Sequence, residues 1–215
     1  MMVGVSNPLP PRRIGMLAVI AATILVSDLV TKVVMVAVLD DGERIQLIDG
    51  VASLVLVRNP GAAFSLATGM TWLLTLIAVA VVVGIVRYAR ELRSPGWAVA
   101  LGLVLGGALG NLVDRFFRGP GPMEGHVVDF VSIGWWPVFN VADSAICVGG
   151  VILVVLALRG HDIDGTRAGD RSPDADEPDV HPDPDRDLAA PPPVDTDASS
   201  PSPHAARESR EGDRA

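Results

Sequence analysis

The chain has 215 residues, 49% of them apolar, and a formal net charge of -8, with a mean hydropathy of +0.41. One soluble domain does not combine that hydropathy with that charge, and position resolves the conflict: residues 160–215 hold fifteen acids and six bases, leaving ten acids and eleven bases elsewhere. The acidity says nothing about the partners of the folded part, and nine of the seventeen prolines with almost no Ile, Leu or Phe predict that 160–215 is a disordered acidic tail.

Residues 1–13 are a short polar lead ending in Arg12 and Arg13. An apolar run over 14–39 follows, interrupted only by Ser27, Asp28, Thr31 and Lys32. It exceeds the roughly 20 residues of a spanning helix and is too long for the apolar region of a cleaved signal peptide, so it reads as a retained span. Three more spans are expected over about 70–86, 97–117 and 139–158. The expected fold is an all-α polytopic membrane protein with a four-helix core over 14–159. Between the first two spans, 40–50 is polar and turn-prone, while 51–57 (VASLVLV) has the β-branched composition of a strand, giving a small extracytoplasmic β-element. Arg12, Arg13, Arg87, Arg90, Arg93 and Arg159 fall on one side, which predicts cytoplasmic termini. The second outer connection, 118–137, carries GPGP near its start and Trp135-Trp136-Pro137 at its end, just before a helix.

Polar residues inside spans are costly and point to function. At about 1.5 Å per residue, Asp28 lies roughly 21 Å beyond Ile14, in the outer half of the bilayer, and Lys32 one turn further. Asn111 and Arg115 sit in the last turns of the third span, and Asn140 and Asp143 in the first turns of the fourth. All converge on the outer leaflet. The spacings 28/32, 111/115 and 140/143 put each pair on one helix face. The pair Asp28 and Lys32 reads equally as helix–helix glue or as part of a site, whereas Asp114 by its helical angle falls outside the stripe and reads as a cap or a snorkelling acid. Cys147 is the only cysteine, which excludes an intramolecular disulfide, and its apolar neighbours make it a small hydrophobe. His126, His161, His181 and His204 lack metal-ligand spacing, so no metal or cofactor is expected. Two aspartates sharing a proton can hydrolyse an acyl bond without a covalent intermediate. Asp129, where the outer loop returns to the membrane, and Asp143 are the candidates.

The blocks DLVTK from Asp28, RNPGAAF from Arg58, GGALGNLVDR from Gly106, VVDF from Val127 and FNVADSAI from Phe139 together resemble the bacterial lipoprotein signal peptidases (signal peptidase II). The resemblance covers 14–159 and none of the tail. It implies an intramembrane aspartyl endopeptidase that cuts a prolipoprotein just before its diacylglyceryl-modified cysteine, with Asp129 and Asp143 as the dyad. Asn59, Gly61, Asn111, Arg115 and Asn140 match positions that shape the pocket and hold substrate, and Asp28 and Lys32 match a structural pair. Leu29 stands where many members carry a polar residue. The expected setting is the bacterial cell membrane, the active site near the outer leaflet, a monomer among membrane lipids, and no nucleic-acid partner. Two other readings use the same residues: a small transporter or channel subunit with an intramembrane carboxylate site, or a non-catalytic lipoprotein-binding protein.

Overall fold

A computed structural model describes residues 11–40, 42–61 and 71–167. The expected tail from 168 onward, residues 1–10 of the lead, Met70 of the second span and Ala62, Ala63 and Phe64 of the second block lie outside the described residues. Among the described residues, four helices are long and apolar enough to cross a membrane. They are α1 (Ile14–Val38), α2 (Thr71–Tyr88), α3 (Pro95–Phe117) and α4 (Val141–Leu158), and they form with three strands a polytopic membrane protein.

The third helix is the axis of the bundle. More than half of its span is buried, against 17% for each of the others, and its sequence explains why. In lipid, helices gain little from burying apolar surface against each other, so association relies on close backbone approach through small residues. Gly106 faces α1, where an added Cβ would lie 2.6 Å from the Ala21 carbonyl oxygen, and Gly107 faces α4, 2.5 Å from that of Ala142. The outward valines of α1 and α4, such as Val19, Val33 and Val151, stay exposed as lipid-facing surface.

At one end of the bundle lies a three-stranded antiparallel sheet in the order β1-β2-β3. Its strands are β1 (Arg44–Ile48), β2 (Ala52–Asn59) and β3 (Val127–Ile133). The strand expected over 51–57 is β2. Two others were not expected: β1 falls in the segment read as turns, and β3 in the segment read as an outer loop. The sheet packs on the bundle through Leu39, Leu56, Val128 and Phe130, with Met35, Val36 and Val141 against them. Val127 to Phe130 are all buried, so β3 lacks the apolar/polar alternation of a half-exposed strand. Register places Asp129 opposite Val57 and Asn59 opposite Val127, which makes Asn59 a diagonal neighbour of Asp129 on one face.

The fourth helix begins later than the apolar run suggests. Phe139 bridges to Val131 of β3, and Asn140 is the extended residue that caps the helix.

The opposite end is apolar, built from Leu17, Ala21, Ile85, Leu92, Ala98, Leu101 and Leu105, with Ile163 against them. Arg93 and Ser94 both donate backbone N–H bonds to the Ile163 carbonyl at 3.0 Å, and Trp97 Nε1 donates to the His161 carbonyl at 2.9 Å. The packed core therefore runs past residue 159, where the tail was expected to begin, to Arg167.

Candidate active site

Three asparagines hold two aspartates at the sheet end. Asn59 Nδ2 donates to Asp129 Oδ2 at 2.8 Å and Asn140 Nδ2 to Asp129 Oδ1 at 2.7 Å. Asn111 Nδ2 donates to Asp143 Oδ1 at 2.8 Å, and the Asn140 backbone N–H donates to Asp143 Oδ2 at 3.2 Å. All four carboxylate oxygens of the pair thus accept from amide N–H groups, which cannot accept in return.

The orientation of each asparagine is dictated by what its carbonyl meets. Asn59 Oδ1 accepts from the Gly61 N–H at 2.8 Å, and Asn140 Oδ1 from the Asp143 N–H at 2.8 Å. The second of these is half of a reciprocal capping box: Asn140 caps α4 while Asp143, three residues on, returns the bond to the Asn140 N–H. The spacing that suggested a shared helix face is therefore a cap. Gly61 adopts φ +106, a conformation suited to glycine, and an added Cβ would collide with Leu74 Cδ1.

Beneath the aspartates is a buried ionic cluster. Lys32 Nζ lies 2.7 Å from Asp28 Oδ2 and 2.8 Å from Asp114 Oδ2, and donates to Asn111 Oδ1 at 3.0 Å. The expected pair of Asp28 and Lys32 is present and wholly buried. Asp28 Oδ1 also accepts from the Ala142 N–H at 2.9 Å, tying α1 to the first turn of α4. Asp114 belongs inside this cluster, contrary to the helical-angle reading: it is 1% exposed, pairs with Arg118 and accepts from the Val128 N–H at 3.2 Å. Lys32 reaching across from α1 draws it in. Asn111 and Asp114, three apart, share a face with Arg118 one turn on, and that spacing could have revealed it.

A cavity of about 510 Å³ opens between α2, α3 and α4. Asn59, Gly61, Asn111, Arg115 and Asp143 line its polar end, and Leu74, Ala78, Val104 and Ile146 are among its apolar walls. Arg115 Nη1 is buried there without a hydrogen-bond partner among the described residues. Cys147 is exposed and lines the same cavity. Asp129 is buried behind it, 1% exposed. Burial pushes its carboxyl up to about 6, and the charge of Asp143 adds to the rise against the opposing hydrogen bonds from Asn59 and Asn140. Within the whole cluster Lys32, Arg115 and Arg118 face Asp28, Asp114, Asp129 and Asp143, so one proton on the aspartate pair makes it neutral. Every site residue expected from sequence meets at this end, with Asp114 and Arg118 added.

Known proteins share this arrangement of sequence and fold. The sequence pattern described as Signal peptidase (SPase) II matches residues 20–159. A lipoprotein signal peptidase of Rhodococcus jostii (strain RHA1) is 65% identical over 76% of this chain and 82% of its own length. One from Mycobacterium avium (strain 104) is 59% identical over 72% of this chain and 85% of its own. A bacterial membrane enzyme solved in meso at 2.3 Å resolution superposes with a TM-score of 0.63 at 26% identity, covering 71% of this chain and 93% of that one. The match runs from α1 through α4 and takes in both aspartates and the residues that hold them, and by it the chain belongs to the signal peptidase II family.

Proposed function

We propose that Asp129 and Asp143 are the catalytic dyad with which this aspartic endopeptidase removes the signal peptide of a prolipoprotein, cutting before a cysteine that carries a diacylglyceryl group. The observation that carries the reading is the sharing of Asn140: one side chain holds Asp129 by its amide and the backbone N–H of Asp143 by its carbonyl.

Asp129, buried and raised to about 6, holds the proton of the dyad and hydrogen-bonds the scissile carbonyl. Asp143, on the cavity wall, takes a proton from water as the water oxygen bonds to the carbonyl carbon. The carbonyl oxygen takes the Asp129 proton, giving a neutral diol. Collapse breaks the C–N bond: the leaving nitrogen takes the proton held by Asp143, and a diol hydroxyl returns its proton to Asp129. The products are a carboxyl end on the signal peptide and a free amino group on the lipidated cysteine. Arg115 Nη1, buried without a hydrogen-bond partner among the described residues, is suited to a substrate backbone carbonyl, and the apolar walls of the cavity suit the signal peptide.

The orientation follows from charge. Arg12, Arg13, Arg87, Arg90, Arg93 and Arg159 lie at the end away from the sheet, which the positive-inside preference assigns to the cytoplasm. The dyad then faces the outer leaflet, where the acyl chains of a lipidated cysteine reside, and both 11–13 and 160–167 are cytoplasmic. One chain completes the cavity, which supports a monomer among membrane lipids. A transmembrane ion path fits poorly, because the far end of the bundle is an apolar core.

The test is the mobility shift of a diacylglyceryl-modified precursor incubated with purified wild type, Asp129→Asn and Asp143→Asn. Cleavage by the wild type alone is expected, with all three folded. Full activity in either variant rejects the dyad, and binding without cleavage by the wild type favours a non-catalytic lipoprotein-binding protein.

A further inference from the structure

We infer that Lys32 is a positioning residue for the dyad, which by donating to the Asn111 carbonyl turns the Asn111 amide group toward Asp143. The inference rests on the dyad reading above and goes beyond the role of Lys32 as partner of Asp28.

An ammonium has three protons and accepts nothing; this one hydrogen-bonds Asn111 Oδ1 and lies in ion-pair contact with the carboxylates of Asp28 and Asp114. The Asp28 contact stays within α1, and the Asp114 contact alone would join α1 to α3. The contact with Asn111 has a chemical consequence. With Oδ1 held by a donor, the amide cannot flip without setting its NH2 against the ammonium and against Asn140 Nδ2, which approaches the same oxygen at 3.3 Å. Nδ2 must therefore point to Asp143 Oδ1, 2.8 Å away.

Comparison with the other two asparagines shows why a lysine is required. Asn59 and Asn140 are oriented by backbone N–H groups, of Gly61 and Asp143, freed by a turn and by a helix start. Asn111 lies inside α3, where backbone N–H groups are committed to the helix. No local donor exists for its carbonyl, so one comes from α1. The wholly buried Lys32 supplies it, with two carboxylates within 2.8 Å of its nitrogen. Arg115 and Asp129 are the other charged groups beside Asp143, and among the hydrogen bonds of the described residues neither bonds Asn111.

The test is a double-mutant cycle on turnover of a lipidated precursor, made in an Asp28→Asn background so that loss of the lysine leaves no surplus buried acid. In that background Lys32→Met is expected to lower kcat about 100-fold with KM within about threefold, the scale of loss for a misdirected catalytic group. With Asn111→Ala already present, Lys32→Met is expected to lower kcat by less than about threefold further, because its effect runs through Asn111. A second full loss on top of Asn111→Ala overturns the inference. Should the triple variant not survive extraction, Lys32→Arg, which keeps a donor-only cation, is compared with Lys32→Met in otherwise unaltered protein. Higher kcat for arginine by at least about tenfold supports the inference, and equal loss in both folded proteins overturns it. Inactive Asp129→Asn and Asp143→Asn alongside an additive cycle reject only the role of Lys32, whereas active dyad variants reject the dyad itself.

Discussion

Asn140 donates to Asp129 Oδ1 at 2.7 Å while its own carbonyl accepts from the Asp143 N–H at 2.8 Å. One side chain therefore both starts α4 and holds the aspartate of β3, and the two duties separate by substitution. Serine caps a helix about as well as asparagine, whereas alanine in that position costs about 1 kcal/mol. Asn140→Ser is expected to unfold near the wild-type temperature in detergent yet turn over a lipidated precursor about 100-fold more slowly, because serine lacks the reach to orient Asp129. Asn140→Ala is expected to lose turnover and thermal stability together. Wild-type turnover in the serine variant would count against Asn140 as the link.

The raised carboxyl of Asp129 fixes the sign of a pH dependence. Its folded pKa is about 6 against an ordinary 3.8, so the protonated form is favoured by folding. Its contribution to stability is complete below about 4 and is lost as pH rises through about 6, a change on the order of 3 kcal/mol. Asp129→Asn, which cannot ionise, is expected to show a correspondingly weaker fall in unfolding temperature across that window. If Asp129 must carry the proton, kcat/KM falls above about pH 6. Asn59→Ala removes a donor that favours the ionised form, so the falling limb is expected to move to higher pH. Movement to lower pH, measured by initial rates between pH 5 and 8, contradicts the assignment of roles.

Close packing around α3 gives a prediction with an internal control. At Gly107 an added Cβ would meet the Ala142 carbonyl oxygen at 2.5 Å, a backbone atom that yields only if α4 moves. That movement would also strain the Asp28 bond to the Ala142 N–H. Gly107→Ala is expected to cost about 1 to 3 kcal/mol, the range for overpacking, and to lower activity. Gly150, inside α4, has nothing within 4 Å of an added Cβ. Gly150→Ala is expected to be neutral or to stabilise by up to about 1 kcal/mol through helix propensity. Thermal unfolding of the two variants side by side decides it.

Legibility of the fold in the sequence follows what each segment answers to. The spans are plain because a lipid solvent demands long apolar runs, and α1 and α3 begin and end within two residues of expectation. The strand β1 was hidden because all five of its residues are exposed and its sequence sits in a turn-rich stretch. In β3 the acid in VVDFVSI and the burial of both faces remove the period of two. Asp114 falls outside the stripe by its helical angle, and its partner Lys32 comes from another helix, about which that angle says nothing. The dyad candidates were legible as acids in costly places. The amide orientations that hold them are tertiary and depend on donors from α1, the turn after β2, and α4.

The boundary between core and tail yields the last prediction. Residues 161–167 return to the bundle: Ile163 packs on the apolar end and its carbonyl receives two backbone N–H groups, from Arg93 and Ser94, that start α3. Asp164 accepts from the Thr166 N–H and hydroxyl at 2.9 and 2.7 Å, closing the turn that presents this segment. Truncation after Arg167 removes only a stretch rich in acids and proline and is expected to leave unfolding temperature and turnover unchanged. Truncation after Gly160 strips acceptors from the backbone N–H groups of Arg93 and the buried Ser94 and from Trp97 Nε1, each worth about 1 kcal/mol or more when left unmade. That shorter protein is expected to unfold several degrees lower while keeping its kcat at low temperature, since the dyad lies at the other end of the bundle. Equal unfolding temperatures for the two truncations would place the end of the folded core at Gly160.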